Sequence, residues 1–491
     1  MLFGRQTEAV MTEIGEYEDW DATECAERLR RGDVSEAELL ASARAQLEAQ
    51  NAELNAVIHR FELPRRGSED APFAGVPFLF KDDIDIEGTP VSLGSKLLSG
   101  FTCERSHPFV EAARDLGFVT LGRTNMPELG LVPTTEPRAH GPTRNPWSLK
   151  HSPGGSSGGA GAALASGMVP IAHGSDGGGS IRVPASACGL VGLKPSRGRM
   201  PAAVNDPPPA FVTHGCLTRT VRDSRLFLTE MRARTGRSMG SAVPPLPAGP
   251  ERALRIAVSY DGLLGHEPHP DVRRSVDSAV TLLVELGHSV EVVSPPVDTR
   301  GFADAYRVLW ATAAGVFLDV AQRAIMERAP PWSHGVLGRS EVFRVGVQLS
   351  KRVEPFTLRL AKQNAMLQPS ALWLAEEAFA FAAHVLERWF THFDLWLTPT
   401  LMRPPWRLGE LDLAKKTDDE IEDVLMGYVG WLPLANATGV PGISLPSAPS
   451  DEGVPIGVHL VAAWGHELTL LDVAEAYEEA RPWPRRAPFR S

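Results

Sequence analysis

The chain has 491 residues, 43% of them apolar and 22% charged, ordinary proportions for a globular protein with a sizeable buried core. Lys and Arg total 49 against 60 for Asp and Glu, a net charge of −11, and the basic residues are scattered rather than gathered into a stripe, which argues against a nucleic-acid partner. No basic start leads into an apolar run and nowhere do about eighteen apolar residues follow one another, so neither a secretory signal nor a membrane span is expected. Four widely spaced cysteines without a CxxC pair fit a reducing, cytoplasmic setting.

In chain order, Asp21-Ala-Thr-Glu24 and Ser35-Glu-Ala-Glu38 have capping-box spacing and open two helices separated by Gly32, giving a helical arm over about 19–55. Val76-Pro-Phe-Leu-Phe80 is an apolar run of strand length that ends abruptly at Lys81-Asp82-Asp83. A helix near 106–116, a strand at Phe118–Gly122, a Gly/Ser loop at 153–159, a small-residue helix at 160–167 and a strand at Val169–His173 follow. Two Pro-rich stretches, 201–209 and 243–250, read as surface loops. Beyond them come a strand at Leu254–Val258, an amphipathic helix over 270–287, and a mainly helical, aromatic-rich stretch over about 300–390 that reads as an insertion shaping a pocket. Strands at Asp394–Thr398, Gly442–Leu445 and Val458–Ala462 complete the series. Such interleaving predicts an α/β fold, a single domain over 1–491 with a large, mixed, twisted sheet covered by helices on both faces.

The chemistry concentrates in Ser152-Pro-Gly-Gly-Ser-Ser-Gly-Gly159 and Gly174-Ser-Asp-Gly-Gly-Gly-Ser-Ile-Arg182. So many glycines mean tight turns or a close backbone approach. A phosphate cradle is disfavoured, because no Gly-Lys-Ser/Thr follows and GxGxxG lacks its flanking strand and acid. Asp176-Gly-Gly-Gly-Ser180 instead sets unencumbered N–H groups just before a serine, where an oxyanion would form, and each such donor is typically worth about 3 kcal/mol in the transition state. The serine needs a base. His173 and His214 are candidates, although His173, on an expected strand, fits a core or supporting place better. Lys81, at the end of an apolar strand, is the other candidate, since burial can keep a lysine neutral. Cys188, in an apolar Ala-Ser-Ala-Cys-Gly-Leu setting, reads as a small core residue rather than a nucleophile.

Gly75-Val-Pro-Phe-Leu-Phe-Lys-Asp82, Gly122-Arg-Thr-Asn-Met-Pro-Glu128, the GGSSGG run and Asp176-x-Gly-Gly-Ser-Ile-Arg182 resemble, in order, the signature blocks of the amidase signature family. Weaker blocks at Leu397–Thr400, Pro441–Leu445 and Pro455–His459 extend the likeness almost to the C-terminus. The resemblance implies a Ser-Ser-Lys relay with Ser180 as nucleophile, Ser156 as bridge and Lys81 as base, a cis Gly155–Ser156 peptide, and an oxyanion hole among Gly177, Gly178, Gly179 and Ser180. Ser157, Asp176 and Arg182 are expected to orient the loops. Gly177 departs from the family pattern, which usually carries a side chain there.

Within the family the segment Val132–Trp147 is similar to bacterial catabolic amidases, including the cyclic-dimer hydrolases of 6-aminohexanoate. That implies a small-molecule amide, lactam-like amide, anilide or carbamate as substrate. Asn125, Gly130, Leu131 and Thr134 are expected to line the acyl side, with Trp310, Phe317 and Trp431 as candidates for the other wall. Two rival readings stand beside this one. Gly154-Gly-Ser-Ser-Gly158 also fits the GxSxG elbow of α/β-hydrolases, with His266 or His288 as base; the other rival is an A-type amidotransferase subunit that releases ammonia from glutamine in a complex. No HExxH or Cys/His cluster occurs, so neither metal nor other cofactor is expected. A homodimer is left open.

Overall fold

The computed structural model describes residues 14–203, 211–235, 246–249, 252–293, 296–327 and 351–488. The two expected Pro-rich loops fall largely outside these residues. Eleven strands join one sheet in the order β1-β3-β2-β4-β6-β5-β10-β11-β9-β7-β8. Their ranges are β1 Val57–Leu63, β2 Pro77–Lys81, β3 Val119–Thr124, β4 Ile171–Asp176, β5 Val191–Lys194, β6 Thr213–Thr218, β7 Arg255–Val258, β8 Ser289–Val292, β9 Leu395–Pro399, β10 Gly442–Pro446 and β11 Gly457–Ala462. Pairing is mixed: β2 runs parallel to β3 and β4, whereas β4, β6, β5, β10, β11 and β9 alternate in direction.

Strands β2, β3, β4, β5, β9, β10 and β11 are buried at every residue, which requires cover on both faces of the sheet. Two groups of helices supply it. Helices α4 (Gly158–Ala165) and α5 (Arg182–Cys188) pack on each other and on the middle strands, while α6 (Val221–Thr235) packs on β5, β6 and the C-terminal helix Glu467–Ala480. The edge strands β1 and β8 are partly exposed.

The N-terminal arm forms as its caps imply. In α1 (Ala22–Arg31) Asp21 accepts the Glu24 N–H, Gly32 ends the helix in the left-handed region, and α2 (Glu36–Leu54) opens with a complete Ser35/Glu38 capping box. The expected helices near 106–116 and 270–287 are α3 (Pro108–Asp115) and α7 (Pro270–Glu285). Strands β1, β5, β6 and β8 were not anticipated, and β4 starts two residues later than expected and continues through Asp176. Thr213-His-Gly-Cys-Leu-Thr218 shows why: polar and buried on both sides, it lacks the period-two alternation that betrays a half-exposed strand. The stretch about 300–390 is helical where described, in α8 (Thr299–Glu327), α9 (Pro355–Met366) and α10 (Ala371–Trp389).

Candidate active site

Because β2 and β4 are parallel neighbours, with Phe78 opposite Ile171 and Leu79 opposite Ala172, their C-terminal ends reach the same edge of the sheet. Lys81 ends β2 and Asp176 ends β4. That edge is where loops and helix starts gather in open α/β sheets. Gly/Ser loop 153–157 enters α4 there, and loop 177–181 enters α5.

The lysine is buried, and its side-chain nitrogen has three close partners. Lys81 Nζ lies 2.8 Å from Ser156 Oγ, 2.7 Å from Ser175 Oγ and 3.0 Å from Asp83 Oδ2. The Ser175 hydroxyl in turn donates to Asp83 Oδ2. Burial alone would raise the Asp83 carboxyl, but the adjacent Lys81 foremost holds it well below the usual carboxylate range. The Lys81 backbone N–H donates to His173 Nδ1 at 3.2 Å, and His173 Nε2 stands 3.1 Å from His214 Nδ1. Accepting at Nδ1 places the His173 proton on Nε2, directed at His214. Burial, then the neighbouring His214, pushes His173 well below the ordinary imidazole range, so it is neutral and supports the strand end.

The Gly155–Ser156 peptide is cis. The glycines around it answer to close backbone approach: a Cβ on Gly155 would stand 2.6 Å from the Thr134 carbonyl oxygen, and one on Gly159 would collide with the Asn125 backbone N. Gly130 has φ +68°, and a Cβ there would come within 3.0 Å of Ser156 Oγ, so its missing side chain leaves room above that hydroxyl.

Behind Ser180 lies a second ionic cluster. Asp176 accepts from Arg182 Nε and Nη2, both at 2.9 Å, from Asn436 Nδ2 at 2.9 Å, and from the N–H groups of Gly179 at 2.7 Å and Ile181 at 3.1 Å. Burial opposes the Asp176 charge, yet Arg182 overrides it and holds the carboxyl well below its usual range. Arg182 also reaches Leu432 O, Asn436 Oδ1 and His459 Nε2. Asp176 and Arg182, expected to orient the loops, are thus bonded to each other and to the 179–181 backbone. Ser157 contributes a 3.3 Å bond to the Ser175 carbonyl, and its N–H donates to the Ser180 carbonyl at 3.2 Å.

The Gly179 N–H, expected among the oxyanion donors, is instead committed to Asp176. The N–H groups of Gly177, Gly178 and Ser180 have no protein acceptor among the described residues. Ser180 Oγ makes no hydrogen bond among those residues either; catalytic hydrogen bonds often tighten only around the reacting group.

Lys81, Asp83, Ser156, Ser175, Ser180 and His214 form the floor of a cavity of about 590 Å³. Gly130 and Leu131 line it as expected, and so do Trp310 and Phe317. Asn125 and Thr134 do not: the Asn125 side chain is turned to Gly141 O and Thr143 Oγ1, both at 3.0 Å, and both backbones brace the serine loop from behind. Trp431 is likewise outside, packed on Trp396 with its indole N–H on Asp261 O. Of the histidines a GxSxG elbow would need, His266 pairs with Asp423 and His288 Nδ1 takes the Leu254 N–H, neither at the cavity. Cys188 is buried, which pushes its thiol up. Asp83, Ser175, Tyr306, Asn436 and His459 had no assigned role in the sequence, although Asp83, Ser175 and His459 stood in or beside recognised motifs.

A mixed sheet that presents a buried lysine to a glycine-bounded serine loop, under an apolar cavity, defines a hydrolase class rather than a binding module. The family model described as Amidase matches residues 35–471. The chain is 37% identical over 493 residues to the 6-aminohexanoate-cyclic-dimer hydrolase of Paenarthrobacter ureafaciens, covering 95% of this chain and 96% of that one. Its fold is similar to a solved 6-aminohexanoate cyclic dimer hydrolase, with TM-score 0.83, 33% identity, and 97% and 99% of the two chains covered. A bacterial aryl acylamidase structure matches with TM-score 0.77 and 26% identity over 95% and 97% of the chains. The chain belongs to the amidase family with the amidase signature, and it is a hydrolase of carbon–nitrogen amide bonds. No helix among the described residues is long and apolar enough to cross a membrane.

Proposed function

We propose that the cavity hydrolyses small to medium, uncharged amides, linear, cyclic or aryl, with carbamates and esters as further substrates, through an acyl-enzyme on Ser180. The observation that carries this reading is the 2.8 Å contact of buried Lys81 Nζ with Ser156 Oγ at the floor of a cavity that Ser180 also lines. Ser180 Oγ attacks the acyl carbon, and its proton passes through the Ser156 hydroxyl to Lys81 Nζ. The free N–H groups of Gly178 and Ser180, with Gly177 beside them, hold the carbonyl oxygen as it becomes negative. Collapse of the tetrahedral adduct breaks the C–N bond while the proton returns to the leaving amine. Water then repeats the sequence on the ester, releasing the acid and restoring Ser180.

The choice of substrate rests on the wall. Apart from Lys81 and Asp83 at the floor, no Asp, Glu, Lys or Arg lines the cavity among the described residues; Met126, Leu129, Leu131, Val183, Trp310 and Phe317 do. Glutamine, whose α-ammonium and α-carboxylate both need partners, fits such a wall poorly, which favours a free-standing amidase over an amidotransferase subunit. Four free, buried cysteines support a cytoplasmic place.

The test is a panel of neutral amides, anilides, lactams and carbamates against glutamine, with Ser180→Ala and Lys81→Ala beside the wild type. Neutral amides should turn over and glutamine should not. Ser180→Ala should form no acyl-enzyme with an activated ester, and Lys81→Ala should slow acylation by orders of magnitude while the protein stays folded. Near-wild-type acylation by either variant would overturn the relay.

A further inference from the structure

Helix α8 carries Phe302, Tyr306 and Trp310 four residues apart, hence on one face. Phe302 packs on Phe379 and Trp310 on Phe356, with ring centroids 5.6 and 5.5 Å apart, and Tyr306 lies between them, 6.1 Å from Phe302 and 6.3 Å from Trp310. One buried and one half-buried aromatic contact therefore fix the helix on either side of Tyr306. Its ring lines the cavity, and its hydroxyl donates to the Gly177 carbonyl at 3.1 Å. A Cβ on Gly178 would collide with that hydroxyl, so the phenol occupies the space a side chain at 178 would need.

The Gly177 carbonyl and the Gly178 N–H belong to one planar trans peptide and point in opposite directions. Whatever holds the oxygen therefore aims the N–H. Little else does so: a Cβ on Gly177 would meet only Val212, at 3.2 Å, and consecutive glycines leave the backbone its full conformational range. The next restraint is at Gly179, whose N–H is held by Asp176. Between these two pins lies the peptide that presents the Gly178 donor.

We propose that Tyr306 is a positioning residue for the oxyanion hole: its hydroxyl, bound to the Gly177 carbonyl, aims and polarises the Gly178 N–H toward the oxygen that turns negative on the substrate. This rests on the reading of Ser180 as nucleophile. The hydroxyl does the work that a side chain at 177 would otherwise do, and it makes the helical insertion part of the catalytic geometry. Burial pushes the phenol well above its ordinary range, so it stays a donor throughout the working pH. A hydrogen bond at one end of an amide strengthens donation from the other.

The experiment is Tyr306→Phe, which keeps the ring and its packing and removes only the hydroxyl. Rates are divided by active sites titrated with an activated ester, so that a misfolded fraction does not count as slow enzyme. The expected kcat falls by about tenfold to a hundredfold, less than the 10²–10³ of losing a donor outright, while KM changes less than threefold. Affinity for an aldehyde analogue of the substrate, which becomes a tetrahedral oxyanion on Ser180, should fall by the same factor. Affinity for the matching alcohol, which has no such oxygen, should hold. A kcat within twofold of wild type overturns the proposal, and so does an equal loss of aldehyde and alcohol affinity, which would mark a packing defect. If Ser180→Ala still forms acyl-enzyme, the nucleophile reading fails instead; an inert Ser180→Ala beside an unimpaired Tyr306→Phe removes Tyr306 alone.

Discussion

Two carboxylates at the site, Asp83 and Asp176, are partnered very differently. Asp176 is surrounded by fixed donors: one guanidinium, one amide side chain and backbone N–H groups of its own loop. Among the described residues Asp83 holds only Lys81 Nζ and the Ser175 hydroxyl, its Oδ1 has no hydrogen-bond partner, and it lines the cavity. Both are held ionised by neighbouring cations against the pull of burial. The difference is in what their partners can do. The donors of Asp176 cannot give up their protons at working pH, so that carboxylate fixes geometry; the partners of Asp83 are groups through which a proton can move, so that carboxylate tunes charge.

The strongest way to break this contrast is Asp176→Asn. The amide would leave Arg182 buried without its counter-charge and turn an NH₂ toward donors in the 177–182 loop. Breaking one side of a buried pair typically costs about 3–5 kcal/mol. Urea unfolding should show a loss of that size, and turnover at temperatures where the variant is folded should drop by about a hundredfold or more as the oxyanion donors lose their aim. A stable variant with normal turnover would show that Arg182 and Asn436 hold the loop without the carboxylate.

The two sides of the site also differ in how far the sequence revealed them. Ser180 was suggested by the glycines before it, a local signal, whereas Lys81, at the end of an apolar strand, was one candidate base beside His173 and His214 until the family resemblance singled it out. Ser156 came only through the family motif, since a GG-Ser-Ser-GG run by itself equally suits an elbow. The contacts that finish the Asp176 side were not readable: Asn436 and His459, the latter in a weak family block, lie 254 and 277 residues from Arg182, and no periodicity encodes contact at that range. Tyr306, 129 residues from Gly177, sat in a helix whose aromatics looked like packing. Asn125 and Thr134 misled for the opposite reason. They neighbour the site in the chain, but it is their backbones, pressed against glycines, that matter there.

Asp83→Asn should have a smaller effect of a different kind. The carboxylate stands 3.0 Å from Lys81 Nζ and shares the Ser175 hydroxyl with it. Removing its charge should displace the pH profile of kcat/KM, measured on one amide substrate across pH 5–10. Stability should respond as well. A carboxyl whose folded pKa is depressed contributes stability that is present above its unfolded value of about 4 and is lost as pH falls through the folded value. Wild type should therefore exceed the variant in unfolding free energy at neutral pH, and the gap should close as the pH falls below about 4. An unmoved rate profile would mean that Asp83 is as structural as Asp176.

Lys194 gives the finest test, because it is a titrating group placed on the closed side. It is fully buried at the end of β5, and its side-chain nitrogen donates to the Pro195 carbonyl at 2.9 Å. Burial foremost, then Arg182, outweighs the attraction of Asp176 and lowers its pKa to about 7. The unfolded chain keeps this proton up to about pH 10.4, whereas the native chain releases it above about 7. Between those values unfolding takes up a proton, so stability rises with pH. Lys194→Met removes the titration while keeping the apolar stem, and its melting temperature should climb less than that of wild type from pH 7 to pH 10. Turnover and the pH profile of kcat/KM should stay unchanged, because no proton from the Asp176 side enters the relay. A rate profile displaced by Lys194→Met as it is by Asp83→Asn would erase the distinction between the two carboxylates and make the whole buried ring of charge one titrating unit.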